Sequence, residues 1–341
     1  MSELQEILEI FEVIMQSIMY MLLPITIANA IGYKKEEEVP PTPPPEEVWY
    51  EVTIDNSANS NNLTEYQILL EINNDEQFFN DFNNDQIKIE VYDEDKSTLI
   101  PFYIEEWDTT NKNAKIWIKV PLIPANSIKK IYLKYNPDRT ESLSNPDNTF
   151  DLYDDFEDGV IDTEKWVQIA GTIEENDGYL SVGGNSSRIR TVQQFNDIVI
   201  RFRAKMTATA QYDHVYCGYR CDENFVWEVG NNKGNGYLLV IHSNYYTNDI
   251  GLTKLVNGSG TSLGDGTTNL DTTLWQIYEI RVFQDKHKAY ENDSLEVEVV
   301  DDSFSNGFIY FGRRHGGEIH VDWIIVRKYT EPEPTVTYNK L

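Results

Sequence analysis

Alternation of apolar and polar residues is the feature that most constrains the fold of this sequence. In Lys115–Val120 every second residue is Ile or Val, and in Lys130–Tyr135 every second residue is Ile, Leu or Tyr. This period of two predicts β-strands with one buried face and one face in water. Segments with a helical period are lacking between these strands, so we predict a sandwich rather than a parallel α/β sheet.

We predict six strands in the first half of the chain, separated by turn residues. They are Trp49–Ile54, Tyr66–Ile72, Gln86–Val91, Leu99–Glu105, Lys115–Val120 and Lys129–Tyr135. Together they indicate a first β-sandwich over residues 48–148.

Three segments of this sandwich form an ordered string of motifs. They are Leu99–Asp108 (LIPFYIEEWD), Ile116–Ser127 (IWIKVPLIPANS) and Ile131–Tyr135 (IYLKY). The string resembles the uncharacterised sandwich domain of archaeal and bacterial surface proteins, commonly found just before a concanavalin-A-like or laminin-G-like domain. The resemblance covers roughly Val48–Asp151 and implies an extracellular location and a partner domain downstream. That family offers no established catalytic residues.

The second half of the chain continues the strand pattern. Phe150–Asp158 and Val321–Tyr329 resemble the first and last strands of concanavalin-A-like jelly rolls, over about Thr149–Glu331. Between them lie about a dozen predicted strands, clearest at Asp197–Met206, Trp275–Phe283, Glu296–Val300 and Phe308–Gly312. We therefore predict an all-β protein of two consecutive β-sandwich (jelly-roll) domains, the second at residues 149–331, with a tail at 332–341.

An uncharged run from Val13 to Tyr33 precedes the sandwiches. As a helix its 21 residues reach about 31 Å, the thickness of a bilayer core. Residues 1–35 are thus predicted to form an apolar α-helix that anchors the chain in a membrane. Residues 36–47 are charged and rich in proline, which predicts an extended, stiff linker.

Within the apolar helix, seven residues recur in steps of three and four, as positions a and d of a coiled coil do. They are Leu4, Ile7, Phe11, Ile14, Ile18, Met21 and Ile25. The outward positions beyond Val13 are apolar too, so we favour a membrane-embedded homo-oligomer. The alternative is a single membrane anchor with this spacing by chance.

The charge balance excludes one class of partner. Asp and Glu number 57 against 28 Lys and Arg, a formal net charge of −29. This field repels phosphate backbones, so nucleic acid is not an expected partner. The acidity is compatible with bound Ca²⁺, and a solvated acidic surface is the alternative.

The two cysteines, Cys217 and Cys221, lie in one predicted strand, His214–Cys221. Four strand residues span roughly 13 Å, beyond the ~7 Å between Cα atoms that a disulfide allows. We predict free, buried thiols, with Val215, Cys217, Tyr219 and Cys221 on one face.

Catalysis is not expected. Glucanases of this architecture present Glu-x-Asp-x-Glu on a strand, and neither Glu296–Glu298 nor Glu318–Asp322 matches. Glycine-rich phosphate loops and Gly-x-Ser-x-Gly elbows are also missing from the sequence. No cofactor other than Ca²⁺ is expected.

Two sets of residues are candidate binding sites. If the first and last strands pair, Asp155 and Glu157 lie near Asp322, with Asp154 and Asp158 beside them. We predict that Asp155, Glu157 and Asp322 bind a structural Ca²⁺; the alternative is that they are solvated turn carboxylates. We predict a glycan-binding site on the face of His214–Cys221 opposite the cysteines. Its candidate residues are Tyr216, Arg220, Trp227 and Tyr237, for which simple packing is the alternative.

These observations favour a non-catalytic attachment or structural protein, displayed on the extracellular face of a cell envelope or on a virion. Its sandwiches would bind glycan or a surface protein from a membrane-anchored oligomeric stalk. Two alternatives stay open: a spike of an archaeal virus, and a polysaccharide hydrolase with an unfamiliar site.

Overall fold

The structure is a computed structural model that describes residues 11–12, 14–16, 47–176, 178–207, 213–243 and 249–341, apart from the Asn185 side chain. The chain divides into two compact units, Met1–Glu47 and Val48–Leu341.

In the first unit, the described residues 11–12 and 14–16 are helical. Phe11 and Ile14, two positions of the predicted oligomer seam, are exposed. The linker at 36–46 and the other seam residues lie outside the described residues; those seam residues are Leu4, Ile7, Ile18, Met21 and Ile25. No helix in the described part of the chain is long and apolar enough to cross a membrane. The anchor and the oligomer therefore stay predictions.

The second unit is built of antiparallel strands. In chain order they are β1 (Trp49–Asp55), β2 (Leu63–Ile72), β3 (Ile89–Tyr92), β4 (Phe102–Asp108), β5 (Asn113–Ile123), β6 (Ile128–Tyr135), β7 (Leu152–Asp154), β8 (Trp166–Asn176), β9 (Tyr179–Thr191), β10 (Ile198–Met206), β11 (His214–Cys221), β12 (Gly236–His242), β13 (Ile250–Val256), β14 (Ser259–Asp265), β15 (Gln276–Phe283), β16 (Lys286–Glu291), β17 (Ser294–Val300), β18 (Phe308–His315), β19 (Ile319–Lys328) and β20 (Thr335–Lys340). Short helices occur at α1 (Glu76–Asp81) and α2 (Pro146–Thr149), and a 3₁₀ turn at Gln86–Lys88. The all-β fold is confirmed, and each of the six strands predicted for the first half overlaps one of β1–β6. Two predicted starts are wrong: Gln86–Lys88 forms the 3₁₀ turn before β3, and β4 begins at Phe102 rather than at Leu99.

The first sandwich packs the sheet β20-β1-β6-β3 on the sheet β2-β5-β4. Its core takes one side chain in two from each strand, as the alternation predicts. Helix α1 was not predicted, because it is too short to show a helical period. Asp75 caps it by accepting a hydrogen bond from the Phe78 N–H at 2.9 Å, and Phe78 and Phe79 enter the core.

The C-terminal residues correct the predicted domain boundaries. Instead of a tail, residues 335–340 form β20, which pairs with β1 from Tyr50 opposite Lys340 to Asp55 opposite Thr335. Val336 and Tyr338 pack against the core of the first sandwich. The chain therefore returns to its first domain after completing the second. With only two apolar side chains, this segment gave too weak an alternation for a strand to be predicted.

The second sandwich is one sheet that folds back on itself. Its order is β14-β13-β12-β11-β18-β9-β19-β10-β15-β16-β17, with β7 beside β19 and β8 beside β9. The two ends, β14 and β17, lie next to each other. The core between the two halves contains Phe202, Phe311 and Ile324.

Strand β11 confirms one prediction about the cysteines and corrects another. Cys217 and Cys221 are free and buried. They do not share a face, because the ladder between β11 and β18 shifts register between Gly218 and Cys221 and Arg220 has a φ of 48°. This bulge turns Cys221 away from the main core and into a second apolar cluster that contains Tyr216.

Candidate functional site

A hydrogen-bonded side chain joins the two sandwiches. Gln67 on β2 is buried, and its amide nitrogen donates to the Thr149 carbonyl and to Asp151 Oδ1, both at 3.0 Å. Its Oε1 accepts from the Lys328 N–H at 3.0 Å. Since a buried amide is costly unless its bonds are made, these contacts hold the two domains in one arrangement.

An apolar cluster lies next to Gln67 in the same interface. Trp117, Phe150 and Ile325 are buried there, and Trp323 packs at its margin. The Phe150 ring lies 5.7 Å, centroid to centroid, from that of Trp117. The first sandwich therefore covers part of the outer face of β19.

A cavity of about 700 Å³ opens beside this cluster, between β2 and β5 on one side and β10, β15 and β19 on the other. We call it the interdomain cleft. Its lining includes Trp117, Arg201, Glu279, Arg327 and Glu333. The indole N–H of Trp117 is fixed by Glu105, to which it donates at 2.6 Å. Because Trp117 is buried, the cleft offers a ligand mainly charged and polar side chains.

Ion pairs hold the charged groups of the cleft in place. Arg201 donates to Glu279 at 2.9 Å and to Asp293 at 2.7 Å, and Arg327 donates to Glu333 at 2.6 Å. Burial alone would lower the pKa of Arg327, but the Glu333 charge more than offsets it and the pKa is raised. The described lining has four Lys and Arg against five Asp and Glu. The cleft is thus polar but nearly neutral.

Two aromatic rings and two cations lie further along the same face. Tyr179 and Trp275 are partly exposed, with ring centroids 5.9 Å apart in an edge arrangement. Lys205 Nζ lies 4.5 Å from the Trp275 ring centroid, and the Arg203 guanidinium lies 5.2 Å from it. We call these four residues the aromatic platform. His320 stacks on Tyr179 with centroids 4.4 Å apart, so the ring is held in place.

Strand β10 connects the cleft to the platform. Its inward residues alternate with Val199 and Arg201, which line the cleft, and then with Arg203 and Lys205 of the platform. Val199 and Lys205 are six residues apart, which is about 20 Å along a strand. The outer face of β10, β15 and β19 therefore offers one continuous polar and aromatic surface.

The structure corrects the glycan site predicted from β11. Tyr216, Arg220, Trp227 and Tyr237 are all buried, with at most 3% of their surface exposed. Trp227, in the segment 222–235 that covers this face of β11, packs edge to face on Tyr216, and Tyr237 faces the main core. Arg220 is tied to Asp197 at 2.9 Å and to the carbonyls of Gln284 and Phe304. None of these four side chains forms a binding surface.

The carboxylates predicted to hold calcium are not gathered into a site. Strands β7 and β19 do pair, with Asp154 opposite Ile324. Asp322, however, forms an ion pair with Arg203 at 2.7 Å, while Asp154 accepts from the Trp166 indole N–H at 2.7 Å. Asp155 accepts from the Tyr153 hydroxyl and from the Glu157 N–H, as turn carboxylates do. Among the described residues, no group of three or more His, Cys, Asp or Glu is arranged to bind a metal.

Comparison with known proteins finds one family match and one relative of unknown function. Residues 83–169 match a domain of unknown function, DUF2341. The chain is 24% identical over 223 residues to the uncharacterized protein MJ1472 of Methanocaldococcus jannaschii. The match covers 62% of this chain and 38% of that protein, so the chain spans well under half the length of this relative.

Among solved structures, carbohydrate-binding modules and glucanases are similar to this chain. They include the carbohydrate-binding module CBM66 from Bacillus subtilis, 16% identical with a TM-score of 0.42, covering 48% of this chain and 96% of that one. The beta-glucanase of Bacillus licheniformis is 12% identical with a TM-score of 0.42, covering 52% and 98%. The laminarinase catalytic domain from Thermotoga petrophila RKU-1 is 14% identical with a TM-score of 0.41, covering 53% and 98%.

Proposed function

We propose that this chain is a non-catalytic glycan-binding attachment protein. The observation that carries the proposal is the outer face of β10, on which the aromatic platform continues into the interdomain cleft. Tyr179, Arg203 and Lys205 lie on strands of the second sandwich, which suits a surface that must be preformed.

The chemistry of the face fits a saccharide. Aromatic rings such as Tyr179 and Trp275 stack on the apolar faces of sugar rings. Ion-paired groups such as Arg201 and Glu279 offer donors and acceptors at fixed positions for hydroxyl groups. The near balance of charge in the cleft favours a neutral glycan over a polyanion.

The carboxylates on this face support a role without catalysis. Glu318, next to the start of β19, and Asp322 within that strand have the spacing of the two outer glutamates in Glu-x-Asp-x-Glu, but His320 stands at the central position. Asp322 is bound to Arg203, and Glu318 contacts His320 at 3.3 Å. Neither group is free to act as a nucleophile or a general acid.

The wider setting is part of the same proposal. A homo-oligomeric helix anchored in a membrane would present several copies of the face outside a cell envelope or virion. Weak contacts of single faces would then add through avidity. A protein that carries the glycan would bind to the same faces.

The test is binding of the purified full-length chain to a glycan array, followed by affinity measurement for each bound glycan. We expect Trp275→Ala and Tyr179→Ala each to weaken binding roughly tenfold, the effect of losing about 1.4 kcal/mol. Trp49→Ala is the matched control, because Trp49 also lies beside lysines, Lys96 and Lys134, but in the first sandwich. Unchanged affinity in both platform variants would refute the site, and release of reducing sugar would refute the non-catalytic role.

A further inference from the structure

Three cations alternate along the outer face of β10, and we call Arg201, Arg203 and Lys205 the cationic row. Carboxylates of the neighbouring strands balance two of its members. Arg201 forms an ion pair with Glu279 of β15 at 2.9 Å, and Arg203 forms one with Asp322 of β19 at 2.7 Å. The charges of both guanidinium groups are therefore compensated within the protein.

Lys205, the third member of the row, has no such compensation. Within the part of the chain that the structure describes, no carboxylate forms an ion pair with Lys205. His320 is opposite Lys205 in the ladder with β19, and Glu318, close by in the sequence, is bonded instead to His320 at 3.3 Å. In a chain with 57 Asp and Glu and 28 Lys and Arg, one positive charge is thus left open on the aromatic platform.

The ammonium group of Lys205 has a defined place beside the two platform rings. Lys205 is partly buried, and its Nζ lies 4.5 Å from the Trp275 ring centroid and 5.9 Å from that of Tyr179. Aromatic rings attract an ammonium group through their π faces. Because His320 stacks on Tyr179, that ring is itself held in place. The cation therefore belongs to the surface that a ligand of the platform must cover.

This position discriminates between neutral and acidic sugars. A neutral sugar on the rings removes water from the Lys205 ammonium and returns only hydroxyl oxygens, so the charge is covered without an opposite charge. A sugar with a carboxylate returns both the hydrogen bond and the charge. The platform should accordingly favour the acidic sugar.

The rest of the face allows only one such sugar. The described lining of the interdomain cleft has four Lys and Arg against five Asp and Glu, and its arginines are already ion-paired. The formal net charge of the chain is −29, which repels a polyanion. A chain of repeated acidic sugars therefore does not fit the cleft.

We propose that the platform binds a single carboxylated sugar, a uronic or sialic acid, at the end of an otherwise neutral glycan, and that Lys205 pairs with its carboxylate. The neutral sugars of the same glycan extend along β10 into the cleft. This inference rests on the proposed glycan-binding function and specifies the ligand of the same face.

The test compares each acidic glycan with its counterpart in which the carboxylate is reduced to an alcohol. Glycans that end in a uronic acid and in a sialic acid are measured separately on the purified full-length chain. We expect the acidic form to bind about fivefold more tightly, which corresponds to about 1 kcal/mol. Lys205→Met should bring this affinity ratio close to one, because methionine keeps an apolar stem without the charge. Lys205→Arg should retain the preference.

Lys96→Met is the matched control. Lys96 Nζ also lies beside two rings, 4.2 Å from the Tyr132 centroid and 5.5 Å from that of Trp49, but in the first sandwich. This variant should keep the full ratio. Equal affinity of the unmodified chain for both forms overturns the acidic-sugar inference alone, since the glycan still binds. A preference that survives in Lys205→Met also overturns it, by placing the carboxylate elsewhere. Binding of neither form overturns the proposed function as well.

Discussion

The backbone N–H of Lys328 donates a 3.0 Å hydrogen bond to Oε1 of Gln67, joining the last strand of the second sandwich to β2 of the first. Gln67 also reaches Thr149 and Asp151, where the chain crosses from one sandwich to the other. A single buried amide thus binds both crossings of the chain between the domains. The geometry of the cleft depends on this contact.

Gln67→Ala should therefore destabilise the chain by about 2–3 kcal/mol, since it leaves the Lys328 N–H and the Thr149 carbonyl buried and unpaired. Chemical denaturation measures the change. Gln77→Ala is the control, because Gln77 makes its 2.8 Å hydrogen bond to Asp81 in an exposed position. Equal stability of the two variants would show that the domains do not depend on Gln67.

Alternation along the chain was enough to predict the strands and the all-β fold, because burial of one face leaves a period of two. It could not show which outward faces are later covered. The outer face of β11 is buried under residues 222–235, so Tyr216 was mistaken for a surface residue. The bulge at Arg220 also depends on pairing with β18, a contact distant in sequence.

The face that carries the proposed function left a partial signal in the sequence. Arg201, Arg203 and Lys205 alternate with core residues, which marks an outward cationic row in an acidic protein. Nothing local indicates that Tyr179 and Trp275 lie beside that row, since they come from β9 and from the turn before β15. The cleft needs both domains in place, so it could not be predicted.

The return of the chain to the first sandwich gives a second prediction. Tyr338 on β20 packs near Tyr50 and Phe78 and donates to Asp75 at 2.8 Å. Tyr338→Ala should cost roughly 2–3 kcal/mol, because it opens a cavity and removes that hydrogen bond. Asn339→Ala, at the exposed neighbouring position, should change the free energy of unfolding by less than about 0.5 kcal/mol. Similar losses of unfolding free energy in both variants would mean that β20 stabilises the first sandwich only through its backbone.

The buried cysteines give a third prediction. Burial raises the pKa of Cys217 and of Cys221, so neither thiol is ionised near neutral pH. Since the thiolate is the reactive form, the native protein should react with a thiol reagent far more slowly than free cysteine. Both thiols should react at once in denaturant, as counted by absorbance. Rapid labelling of one thiol in the native state would show that β11 opens readily.

Glu175 gives a prediction about pH. Burial and the neighbouring Asp158 raise the pKa of Glu175 to about 7, while the Gly159 N–H donates to it at 3.0 Å. The folded state holds this proton more tightly than the unfolded state, so its contribution is full below pH ~4.5 and is lost as the pH rises through about 7. Glu175→Gln removes the charge and keeps the hydrogen bonds to the Gly159 N–H and to Asp158. It should match the unmodified protein near pH 4.5 and exceed its free energy of unfolding at pH 8 by roughly 1 kcal/mol, measured by denaturant titration at both values. A variant that is less stable at pH 8 would show that a partner stabilises the charged form of Glu175 in the folded protein.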